Sequence, residues 1–192
     1  MKEIKTAFLL FVTLAFVTGV VYPTAVTVLA QAIFPEQAAG SLIHSAEDAL
    51  IGSSLIGQHF SDPKYFWPRP SASGDFPYNA LASGGSNLGP TNEVLIEQIA
   101  ERVRSLRKSG IHGSLPTDLV MASGSGLDPH ISPAAALIQI PRIVKARNIS
   151  ETELQRLVRE HIKARQFGFL GAERVNVLEL NLALDKIRIL KP

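Results

Sequence analysis

Apolar positions along this chain fall into two regimes. Residues 6–35 run for about 30 positions without a charge, where roughly 20 apolar residues suffice to cross a hydrocarbon core. The densest part is residues 7–21, AFLLFVTLAFVTGVV. Tyr22 follows, suited to an interface, and then Pro23, which predicts a kink in the span. Ala15 and Gly19 make a small-xxx-small pair, which lets a second helix approach closely. A cleaved signal peptide is the rival reading, with Lys2 and Lys5 ahead of the run and Ala30-Gln31-Ala32 as a cleavage pattern. The run exceeds the usual signal core of about 7–15 residues, which favours a retained anchor. Lys2 and Lys5 precede it, while Glu36, Glu47 and Asp48 are the first charges after it. That asymmetry predicts a cytoplasmic N-terminus over residues 1–5, a transmembrane helix over 6–34 and an extracytoplasmic domain over 35–192.

In the second regime the periodicity is that of a mixed α+β domain. Residues 37–48 read as a linker and residues 49–56 as a strand softened by Gly and Ser. Residues 58–92 are dense in Gly, Pro, Ser and Asn, and a loop of that length in a compact domain is either functional or packed. Leu95, Ile99, Val103 and Leu106 form one helical stripe, with Thr91 or Asn92 to cap it and Gly110 to end it. Residues 115–121 read as a short strand. Ser132-Pro133 opens a helix that Pro141 interrupts. Ser150 to Glu153 is a capping box ahead of the stripe Leu154, Leu157, Val158, Ile162. Residues 174–180 alternate like a strand, and 181–186 turn into a last short helix.

Composition removes several functions. The net charge is only +2, with basic and acidic residues interleaved, so no nucleic-acid footprint is present. There is no cysteine, and the five histidines lack zinc-ligand spacing. Ser125, Asp128 and His130 bring triad residue types together in one segment. Triads, however, take their members from distant parts of a fold, and no G-x-S-x-G elbow is present. A hydrolase is therefore only the alternative reading. Residues 83–92 and 123–130 are Gly-rich and feed helix starts, which suits turns, caps or an anion nest, but neither is a P-loop. Residues 65–70, YFWPRP, are either core filler or a partner-facing ridge.

Five stretches carry a family resemblance: VTGVVYP at 17–23, YFWPRPSA at 65–72, Tyr78-Asn79 with residues 83–92, ASGSGLDPHISPAAA at 122–136, and RVNVL at 174–178 with NLALD at 181–185. In this order, across nearly the whole chain, they resemble the C subunit of Kdp-type bacterial potassium-transporting ATPases. The resemblance implies an accessory subunit without a catalytic site or cofactor of its own, in the bacterial inner membrane. Its implied partners are a channel-like A subunit that conducts potassium, a P-type ATPase B subunit that hydrolyses ATP, and a very small F subunit. It also implies a need for this chain in the working complex and a chaperone effect on the ATP affinity of the B subunit. The candidate assembly or regulatory residues are Ala15, Gly19, Trp67, Arg69, Gly84, Gly85, Asn87, Gly124, Gly126, Asp128 and His130.

Overall fold

The structure is a computed structural model that describes residues 2–187. Met1 of the predicted cytoplasmic end and residues 188–192 of the predicted outer domain lie outside the described residues. The chain forms two compact units, divided between Ser53 and Ser54.

In the first unit, α1 (Lys2–Phe16) and α2 (Tyr22–Ile33) are joined by a π-helical turn at Val17–Val21. Together they make one helix of 32 residues, whose most apolar 18-residue stretch has mean hydropathy 2.1, with no residue buried by the protein. Pro23 explains the π turn. It has no N–H to donate to Gly19, and its ring crowds that carbonyl in a regular helix. The disturbance predicted as a kink takes the form of a widened turn, in which the Tyr22 N–H reaches the Val17 carbonyl, five residues back.

After the short α3 (Pro35–Ala38), β1 (Leu42–His44) pairs antiparallel with β2 (Leu50–Ser53). The linker expected over 37–48 is thus partly a hairpin. Its turn is made by side-chain chemistry: Ser45 Oγ accepts from the Glu47 and Ala49 N–H groups, and Asp48 takes φ 60°.

The second unit is α+β, as predicted. A three-stranded antiparallel sheet has the order β3 (His130–Ile131), β5 (Arg174–Asn176), β4 (Ile162–Lys163). Around it stand α4 (Glu93–Lys108), α5 (Pro133–Leu137), α6 (Ile140–Arg147), α7 (Glu151–Glu160) and α8 (Val177–Asp185). The predicted stripes supply the core. Leu95 and Leu106 of α4 are buried, as are Leu154 and Val158 of α7, the latter against Ile143, Val175, Leu180 and Leu184. Asn92 caps α4 through the Val94 N–H, and Ser132 caps α5 through the Ala135 N–H.

Three local expectations are corrected. Residues 115–121 hold a 3-10 turn (Thr117–Leu119) instead of a strand. Pro116 precedes it, and the Asp118 carboxylate accepts from both the backbone N–H and the hydroxyl of Ser132, which ties the turn to the start of α5. The strand read over 174–180 stops at Asn176, whose side chain caps α8 through the Glu179 N–H. Valine and leucine at 177, 178 and 180 are all buried, so the apparent alternation belongs to a helix embedded in the core. Finally, Ser150 precedes α7 but makes no side-chain cap hydrogen bond, so the capping box is not closed.

Candidate functional site

The long loop and the two Gly-rich stretches come together on one side of the second unit. Gly84 N–H and Ser83 Oγ both donate to the Ser125 carbonyl. The Gly57 N–H donates to Leu127 O, and Ser71 Oγ donates to Gly126 O at 2.7 Å. Backbones approach so closely here that glycine is required. A Cβ on Gly126 (φ +70°) would lie 2.8 Å from Gly84 O and from Ser73 N. One on Gly57 would strike the Tyr78 ring and lie 2.8 Å from Asp128 O. Gly85 meets Gly124 O at 3.1 Å, whereas Gly124 faces open space. Asn87, at φ 53°, takes the left-handed turn conformation that asparagine tolerates.

Arg69 and Asp128 cross-link this cluster. Arg69 Nη1 lies 3.2 Å from Asp128 Oδ2, while its Nε and Nη2 donate to Met121 O and Ala122 O. Asp128 Oδ1 accepts the His130 N–H at 3.0 Å and faces His130 Nδ1 at 3.4 Å. Burial alone would raise the Asp128 pKa. The hydrogen bonds from His130 and Arg69 outweigh that and hold it below the ordinary carboxylate value. Tyr78 donates its phenol to Arg69 O and its N–H to Ser71 Oγ. Its pKa is raised, first by burial and then by the Asp128 charge, so the phenol stays a donor.

These contacts oppose the hydrolase alternative. Ser125 Oγ accepts from the Leu127 N–H, and His130 turns to Asp128. No hydrogen bond joins Ser125 to His130 among the described residues. What the arrangement can do is hold three loop segments as one rigid surface. Beside it lies a cleft of about 380 Å³, lined by Trp67, Arg69, Tyr78 and Arg102 among others and by no carboxylate.

Trp67 belongs chiefly to the core side. Its ring packs against the core and lies under the Arg142 guanidinium, 4.2 Å from the ring centre. The segment around it is held by residues that the sequence reading passed over. The Gln139 amide accepts from Trp67 N–H and donates to Trp67 O. Asn181 does the same for Phe66. Arg142 donates to Pro63 O, Tyr65 O and Gln139 Oε1, and burial pushes its pKa down to about 10. Two buried side-chain amides thereby replace a neighbouring strand. The only signal in the sequence is a polar residue set among apolar positions. Ala15 and Gly19 lie in the apolar helix of the first unit, and nothing stands within 4 Å of a Cβ built on Gly19.

Comparison with known proteins assigns the chain to a family. The family described as K+-transporting ATPase, c chain, matches residues 4–186. A protein of Geobacter sulfurreducens named potassium-transporting ATPase KdpC subunit is 56% identical over 187 residues, covering 97% of this chain and 99% of its own length. Its namesake in Geotalea uraniireducens is equally similar over the same shares. The one in Methylococcus capsulatus is 53% identical, over 97% of this chain and 99% of its own. With matches of this extent over both the apolar helix and the loop-bearing unit, the chain belongs to the KdpC family of potassium-transporting ATPase subunits.

Proposed function

We propose that the chain is the non-catalytic accessory subunit of a high-affinity, ATP-driven potassium uptake pump. Residues 6–34 anchor it in the bacterial inner membrane, with residues 1–5 cytoplasmic and 35–192 outside. It binds the channel-like A subunit, the P-type ATPase B subunit and the small F subunit, and the complex needs it for assembly. The carrying observation is the interlock of the two Gly-rich stretches. Ser125 O, Gly84 N–H and the Asp128 carboxylate are engaged with one another or with Arg69. That supports a preformed protein-binding or regulatory surface over a phosphate cradle. Any effect on the ATP affinity of the B subunit then passes through the anchor and partner subunits, as a bias on a two-state equilibrium.

The test is co-purification of the pump on a tagged copy of this chain, with Gly126→Ala and Asp128→Ala beside the wild type. Both variants should recover less complex, or a complex with less potassium-stimulated turnover. Full recovery and turnover from folded variants would remove the loop cluster from assembly and regulation. An alkaline phosphatase fused to the C-terminus should be active in whole cells, and an inactive one would reverse the topology. Calorimetry of the full chain with ATP and magnesium should show no saturable heat. Micromolar binding lost in Gly85→Ala would favour a direct nucleotide role.

A further inference from the structure

Between β4 and β5 the chain extends beyond the sheet as an arm whose tip neither the core nor the loop cluster uses. Every residue from 163 to 173 is exposed. The arm is nonetheless ordered by its own backbone. Gln166 and Leu170 exchange both hydrogen bonds of an antiparallel bridge, at 3.0 and 2.9 Å. The Gly168 N–H donates to Arg165 O and the Phe169 N–H to Gln166 O, which closes a three-residue tip. Phe167 sits in the left-handed region at φ 52°, an uncommon conformation for a bulky residue. The tip therefore presents Phe167 at 88% and Phe169 at 70% exposure, with Leu170 beside them.

Two aromatic rings held out in water are a cost unless something covers them. We propose that this arm dips into the interfacial layer of a bilayer, as a shallow membrane contact. Three observations favour lipid over a protein groove. The tip sequence Phe-Gly-Phe-Leu offers only apolar side chains, which suits the non-specific acyl boundary and gives a protein partner little to read by hydrogen bonding. Arg165 lies two residues behind the tip, where a long cationic side chain can stay among head groups while the rings descend. Lys163 and Arg174 pair at the neck, with Lys163 bridged to Glu179 and Glu173 alongside. The net positive charge near the tip is thus small, so apolar insertion dominates and anionic lipid adds only a modest gain.

The chain has no cysteine, so a single introduced thiol reports cleanly. The full chain carrying Phe169→Cys, labelled with an environment-sensitive fluorophore, is reconstituted into phosphatidylcholine vesicles, with or without phosphatidylglycerol. The expected result is blue-shifted emission and several-fold stronger quenching by a shallow spin-labelled lipid than at the exposed control Glu97→Cys. Adding Phe167→Ser should bring the quenching down to the control level. Water-like emission with control-level quenching would overturn the proposal. So would shielding that appears only when the other pump subunits are present, which would assign the arm to a protein partner.

Discussion

The two sides of the second unit are held together in different ways. On the helical side, α5 to α8 bury leucine, isoleucine and valine against the small sheet, and the fold there rests on apolar area. On the loop side, residues 55–92 and 113–130 have few buried apolar side chains. They depend on hydrogen bonds between side chains and backbone and on glycines where a Cβ would overlap neighbouring atoms. An apolar core loses stability roughly in proportion to what is removed. A loop cluster of this kind tolerates much on its outside and almost nothing at its crossing points.

Substitutions can break that contrast or sharpen it. Leu154→Ala, at a fully buried position of α7, should have the largest effect, about 2–5 kcal/mol, read as lost thermal or urea stability of the full chain in detergent. Gln139→Leu should follow. It keeps the volume but strands Trp67 N–H and C=O, each worth about 1–3 kcal/mol when buried without a partner. A loss much smaller than one such group would mean that the amide is not replacing a strand. Next comes a pair of alanines two residues apart. Gly126→Ala meets a left-handed φ, costing about 1–2 kcal/mol, and a backbone contact besides. Gly124→Ala should stay within about 0.5 kcal/mol. Equal effects would show that composition, not crossing geometry, governs the loops.

A further, modest effect concerns pH. The folded Asp128 carboxyl titrates below its ordinary value, so its stabilisation is complete above the usual carboxylate range near 3.9 and is lost as pH falls through the folded value. Asp128→Asn should therefore cost up to about 1 kcal/mol at pH 7, the scale of a partly exposed ion pair. Variant and wild type should converge as pH falls through the folded value. A difference that persists unchanged in acid would mean that shape, not charge, is what Asp128 supplies.

How far the sequence foretold this follows the same division. Periodicity located α4 and α7 because Leu95, Leu106, Leu154 and Val158 repeat at helical spacing, and Asn92 and Ser132 announced the caps of α4 and α5. At α8 periodicity misled: 177–180 looked like strand because polar Glu179 and Asn181 alternate with apolar residues, and Asn181 is itself drawn into the core. The Gly-rich stretches stood out as special, but their mutual contact did not. The partners of Gly84 and Ser83 lie some forty residues away, and nothing local encodes that meeting. Gln139, between α5 and α6, and Asn181, in α8, escaped for a related reason, since a polar residue at either place reads as a surface position until the fold buries it.

The π turn at Val17–Val21 bears on how the apolar helix can be gripped. A regular α-helix turns 100° per residue, at 3.6 residues per turn. The widened turn takes up about one extra residue, so the faces before and after it are offset by about that angle. The stripe that contains Ala15 does not continue into α2 at the spacing a plain helical wheel assigns. A scan for contacting faces along this segment has to be phased separately on the two sides of Tyr22, and one helix can thereby present different sides to different neighbours at different depths.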